Sequence, residues 1–131
     1  MSGASDALHY KTAVELAAMI RSKQISCREL LEHFLARCDS HNAGLNAIVV
    51  WKREEARERA IAADDAIAKG VRVGPLHGVP MTIKESYDWI GTPTTWGVPE
   101  LKDNIAQTNS VVVDRMLAAG VNLFGKPNVP L

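Results

Sequence analysis

Lys84 stands where a lysine could do chemistry. It closes the run Val79 to Lys84, which alternates in the manner of a strand, with Val79, Met81 and Ile83 on one side and Thr82 and Lys84 on the other. Glu85, Ser86 and a turn-rich segment follow, and the C-terminal end of a strand is where α/β proteins collect ligand groups. A lysine acts as a base near neutral pH only when desolvation or a neighbouring positive charge lowers a pKa that starts at about 10.4. An apolar strand can supply that setting. The bland alternative is a solvated lysine, which is what most lysines are. Ser86, two residues on, shares the Lys84 face if the strand continues, yet no third group here orients such a pair, so it reads as a neighbour of the lysine and not as a nucleophile.

A second lysine closes a different pattern. Gly120, Gly125 and Lys126 have the spacing of a phosphate-binding loop, but the next residue is Pro127, which offers neither the hydroxyl that a magnesium ion needs nor a backbone N–H. Val121 to Phe124, between the glycines, reads as buried strand, so nucleotide binding is not expected. His9, His33, His41 and His77 have no metal-ligand spacing with one another or with the cysteines, and neither metal nor cofactor is expected. His77, in the turn before Gly78, reads as a structural histidine. Cys27 and Cys38 fall in one helical stretch, about 16 Å of rise apart, too far for a disulfide; they share a face with Leu30, Leu31, Phe34 and Leu35 and read as small buried hydrophobes.

Several elements must position these groups. Thr12 with Glu15 and Ser26 with Glu29 are capping boxes, each opening a helix. The first helix buries Ala13, Leu16, Ala17 and Ile20, and the second continues the cysteine face until Gly44 breaks the pattern. Leu45 to Trp51 reads as a short strand. Lys52 to Lys69 reads as a charged helix with a stripe of Ala56, Ala60, Ala63 and Ile67, a solvated face carrying pairs such as Glu55 with Arg59, and Gly70 as its stop. After the strand ending at Lys84, Thr92 to Gly97 reads as loop, Asn109 or Ser110 caps a helix reaching Ala119, Gly120 ends it, and Val121 to Phe124 forms a buried strand. The alternation of helix and strand argues an α/β fold, with residues 1–70 mainly helical and 71–131 the start of the sheet.

Composition narrows the classes. The 131 residues are 47% hydrophobic, with fifteen basic and fifteen acidic side chains, as expected of a soluble globular chain. Zero net charge leaves no electrostatic footprint for nucleic acid or an anionic membrane. Met1 to Tyr10 has no apolar core of a signal peptide and no long apolar run occurs, so a cytoplasmic protein is expected. Val129, Pro130 and Leu131 close the sequence on apolar residues, as if cut within a folded region.

The run from Gly74 through Pro75, Leu76, His77, Gly78, Val79, Pro80, Met81, Thr82, Ile83, Lys84 and Glu85 to Ser86, followed by Gly91-Thr92-Pro93-Thr94-Thr95-Trp96-Gly97, resembles the first conserved block of the amidase-signature enzymes. Val111 to Leu131 resembles the helix, strand and Gly-Lys-Thr-Asn segment that follow it in that family, with Pro127 in place of the threonine and Glu85 where an aspartate is usual. The resemblance implies a mixed β-sheet core flanked by helices, of which this chain is the N-terminal part of a single domain. It implies hydrolysis of a small-molecule carboxamide by a Ser-cisSer-Lys triad in which Lys84 acts through the cis-serine to deprotonate the nucleophilic serine, with Ser86, Thr94 and Thr95 close by. The seven serines include no Gly-Ser-rich run, so both triad serines are expected outside this sequence, and the chain alone is expected to be inactive. Its partner is then the remainder of an amidase chain or, with the amphipathic helices at an interface, a second copy. The alternative reading is a short, non-catalytic paralogue or split subunit that works by binding a partner.

Overall fold

The computed structural model describes residues 8–130, so the apolar close at Leu131 lies outside the described residues. After a short 3₁₀ turn at Leu8–Tyr10, helix α1 spans Ala13–Arg21 and α2 Cys27–Leu45. Both open on the expected capping boxes, with the Thr12 and Ser26 hydroxyls accepting the Glu15 and Glu29 amides and each glutamate returning to the cap N–H. Gly44 does not end α2. The stop falls at Asn46, which takes the left-handed conformation at φ 48°, and Asn42 then accepts the Ile48 N–H and donates to the Ile48 carbonyl. Strand β1 is accordingly short, Ile48–Trp51, and α3 follows at Arg53–Ala68.

Strand β2, Pro80–Thr82, helix α4, Val111–Ala118, and strand β3, Asn122–Pro127, complete the fold. β3 is the centre of a three-stranded mixed sheet, antiparallel to β1 and parallel to β2, so β2–α4–β3 is a crossover unit. Gly125 lets β1 approach: a Cβ there would lie 2.6 Å from the Val50 carbonyl oxygen. Helices α1, α2 and α3 pack Leu16, Ile20, Leu30, Leu31, Leu35, Ala56 and Ala60 against Val79 and Phe124. A second cluster, Ile83, Trp89, Val113, Val121 and Leu123, joins the sheet to α4. Val79 therefore does not share the Met81 and Ile83 side. It precedes the strand proper, after Gly78 has turned the chain at φ 76° with its Cα against Cys27, where a Cβ would lie 2.3 Å from Sγ.

The charged face of α3 is only partly a solvated one. Arg57 pairs with Glu32 and Glu54 at the surface. Arg59 does not pair with Glu55 in a salt bridge. It turns inward, donating through Nε to Asn122 Oδ1 at 3.1 Å and through its guanidinium to the Leu123 carbonyl, while Asn122 donates to the Ala56 carbonyl at 2.8 Å. The central strand offers those acceptors, one from the Asn122 side chain and one from the Leu123 backbone, and the sequence periodicity of a helix carries no sign of them. Both cysteines are free, with Cys27 buried and Cys38 half-buried.

Candidate active site

Beyond Thr82 the β2 chain keeps its ladder with β3: Ile83 donates to the Gly125 carbonyl at 3.2 Å and Glu85 to that of Pro127 at 3.0 Å. Alternation along this extended stretch turns Ile83 and Glu85 inward and leaves Lys84 exposed between them. The chain then folds back, Tyr87 donating to the Lys84 carbonyl at 3.0 Å. Ser86 thus lies in a turn, half-buried, and does not continue the strand face of Lys84.

Glu85 is 3% exposed and is the hub of this region. Its carboxylate accepts the Thr95 N–H, the Thr95 hydroxyl at 3.1 Å and the Trp96 N–H at 3.0 Å. A buried carboxylate is tolerable when ionic hydrogen bonds replace its water. The same loop is held from β3. Lys126, fully buried, donates to the Pro93 carbonyl at 2.7 Å and lies 3.3 Å from Thr94 Oγ1. Burial pushes the Lys126 ammonium below the usual lysine range, and the negative charges of Glu85 and Asp88 oppose that fall. The phosphate-loop spacing therefore corresponds to no loop: Gly120 ends α4 and Lys126 lies inside a strand.

Backbone bonds complete the loop, with Thr94 N–H on the Asn104 carbonyl at 2.9 Å, Ala106 N–H on that of Thr92 at 2.9 Å, and Asn104 Nδ2 on that of Thr94 at 2.8 Å. Trp96 sits at its tip with φ 56°, a conformation that costs a non-glycine residue energy, and 60% of its surface is exposed. A depression of about 290 Å³ beside the loop is lined by Val49, Val50, Glu85, Pro93, Thr95, Gly97, Lys102 and Asn128. The larger hollow, about 770 Å³ between α2 and α3, includes Ile25, Leu31, Ile61 and Asp64 and none of residues 74–97. His77 donates to or accepts from no group at Lys84; its Nε2 lies 2.9 Å from the Ala63 carbonyl, a structural tie to α3.

Thr95 is thus tied to Glu85, the chain neighbour of Lys84, and Thr94 to Lys126, while the Lys84 side chain itself is exposed. Sequence reasoning missed the work of Glu85 and Lys126. The available signal was a lysine closing an apolar strand, which when buried must find polar partners.

A parallel crossover unit with a lysine at the strand end and a pinned threonine loop defines an α/β protein with a candidate catalytic strand end. Residues 29–131 match the amidase family, and the chain belongs to it. It is 42% identical to an acylamidase of Rhodococcus erythropolis over 94% of its own length and 26% of that protein. It is 46% identical to an indoleacetamide hydrolase of Bradyrhizobium diazoefficiens over 91% of its length and 23% of that enzyme. Its fold superposes on a bacterial aryl acylamidase of the amidase-signature family with a TM-score of 0.86 and 35% identity, covering 92% of this chain and 26% of the other. The chain spans about a quarter of the length of these relatives. Among the described residues no helix is long and apolar enough to cross a membrane.

Proposed function

We propose that this chain supplies the general base, Lys84, of a carboxamide hydrolase whose nucleophilic and bridging serines lie outside these residues. The observation that carries the reading is the placement of Lys84 at the end of a sheet strand whose next residue is buried and fastened; its side chain is exposed here, so on this reading the desolvation a base needs comes from the segment that carries the serines. A neutral Lys84 takes a proton from the nucleophilic serine through the cis-serine, and the serine oxygen forms its bond to the amide carbonyl carbon. The resulting ammonium returns the proton by the same relay to the nitrogen of the leaving amine as the C–N bond breaks. Water then splits the acyl-enzyme to the acid. Thr94, Thr95 and Ser86 stand around the base in this reading, with the threonines fixing its loop.

The relatives are named for acyl amides and indoleacetamide, which supports a small carboxamide as substrate. On this reading the 131 residues hydrolyse no amide by themselves. The test is ammonia release from simple aliphatic and aryl carboxamides by the polypeptide translated from the whole reading frame that encodes these residues. Release supports the hydrolase, and none from a folded product overturns it.

A further inference from the structure

We infer that Glu85 and Lys126 are positioning residues that grip the 92–97 loop from two neighbouring strands and thereby fix the strand end from which Lys84 projects. The inference rests on the hydrolase reading above. Glu85 receives three hydrogen bonds from Thr95 and Trp96, and Lys126 reaches Pro93 and Thr94 on the other half of the same loop. Four consecutive loop residues are therefore tied to two side chains, both of them buried.

The grip acts on Lys84 through the covalent chain. Glu85 is the residue next to it, and its own backbone N–H is bonded to Pro127, one residue beyond Lys126. Releasing either side chain frees the 83–86 stretch to shift against β3 without removing an atom from Lys84. Burying two opposite charges for packing alone gains little, since apolar residues of equal volume commonly do as well. What the ionic arrangement adds is direction: a carboxylate accepting three donors defines the loop conformation, including the left-handed Trp96, more narrowly than apolar contact does.

The experiment compares Glu85→Gln, Glu85→Asp and Lys126→Met with the parent in the polypeptide translated from the whole reading frame, by kcat, KM and thermal midpoint. Glu85→Gln and Lys126→Met are expected to lower kcat by about a hundredfold, the scale of a misplaced reacting group, while KM moves less than about threefold and the protein stays folded. Glu85→Asp is expected to regain most of that loss. If Glu85→Gln unfolds, Thr95→Val decides, because it deletes one hydroxyl at a half-buried place and is expected to cost kcat about tenfold. Unchanged kcat in these variants of an active parent overturns the inference alone, as does a fall confined to KM or to the unfolded fraction. An inactive, folded parent overturns the hydrolase reading and the inference together.

Discussion

Asp64 Oδ1 accepts the backbone N–H of Cys27 at 2.6 Å, and Oδ2 that of Arg28 at 3.3 Å, so a carboxylate on α3 caps the first turn of α2. The negative charge meets the positive end of that helix while Ser26 serves the Glu29 amide. Asp64→Ala leaves both amides of the first turn without their partner and is expected to cost about 1 to 2 kcal/mol, read as a lower midpoint in urea at unchanged slope. Asp64→Asn, which keeps one acceptor, is expected to cost less.

The Cys27 thiol gives a pH dependence with a definite sign. Burial, and then the hydrogen bond and charge of Asp64, push its pKa up to about 12. In the unfolded chain the thiol ionises at about 8.5. Between these values the unfolded state has lost a proton that the folded state keeps, so stability falls as pH rises through this window and is fully retained below it. Urea midpoints at pH 8 and pH 10.5 are expected to differ in that direction, and Cys27→Ala is expected to shrink the difference. Cys27 should also resist thiol reagents in the folded chain while half-buried Cys38 reacts.

Gly125 and Gly78 test two close approaches. Gly125→Ala drives a methyl to 2.6 Å from a backbone oxygen of β1, and Gly78→Ala to 2.3 Å from Cys27 Sγ at a left-handed φ. Each is expected to cost about 2 kcal/mol or more, by thermal or urea unfolding, whereas Gly44→Ala, with open space around its Cβ, is expected to be neutral or stabilising.

The Arg59 guanidinium joins α3 to the central strand, and burial lowers its pKa from the usual arginine value. Arg59→Ala leaves the Leu123 carbonyl and Asn122 Oδ1 without that donor and is expected to cost about 1 to 3 kcal/mol, well above Arg57→Ala, whose partners are at the surface.

Local signals were legible in the sequence wherever one side chain completes its own helix end. Thr12 with Glu15, Ser26 with Glu29 and the Ser110 cap all appear as their spacing predicts. The alternation placed Lys84 at a strand end, but the desolvating setting expected there is not seen, since its side chain is exposed. Three features were not legible. The end of α2 moved past Gly44 because Asn46 could adopt the left-handed turn and Asn42 could hold the start of β1. Arg59 turned inward because the Leu123 carbonyl and the Asn122 side-chain oxygen of β3 offer it acceptors. Glu85 and Lys126 each bond loop residues ten or more positions away, and such partners are set by tertiary approach, which periodicity does not encode.

Lys84 is proposed here as the base of amide hydrolysis. The direct measurement is ammonia release from a carboxamide by the whole-frame polypeptide, comparing parent with Lys84→Ala, with thermal unfolding of both in parallel. Lys84 is exposed, so its removal is expected to leave the thermal midpoint within about a degree while kcat/KM falls by several orders of magnitude. Activity that persists in a folded Lys84→Ala variant would contradict the account.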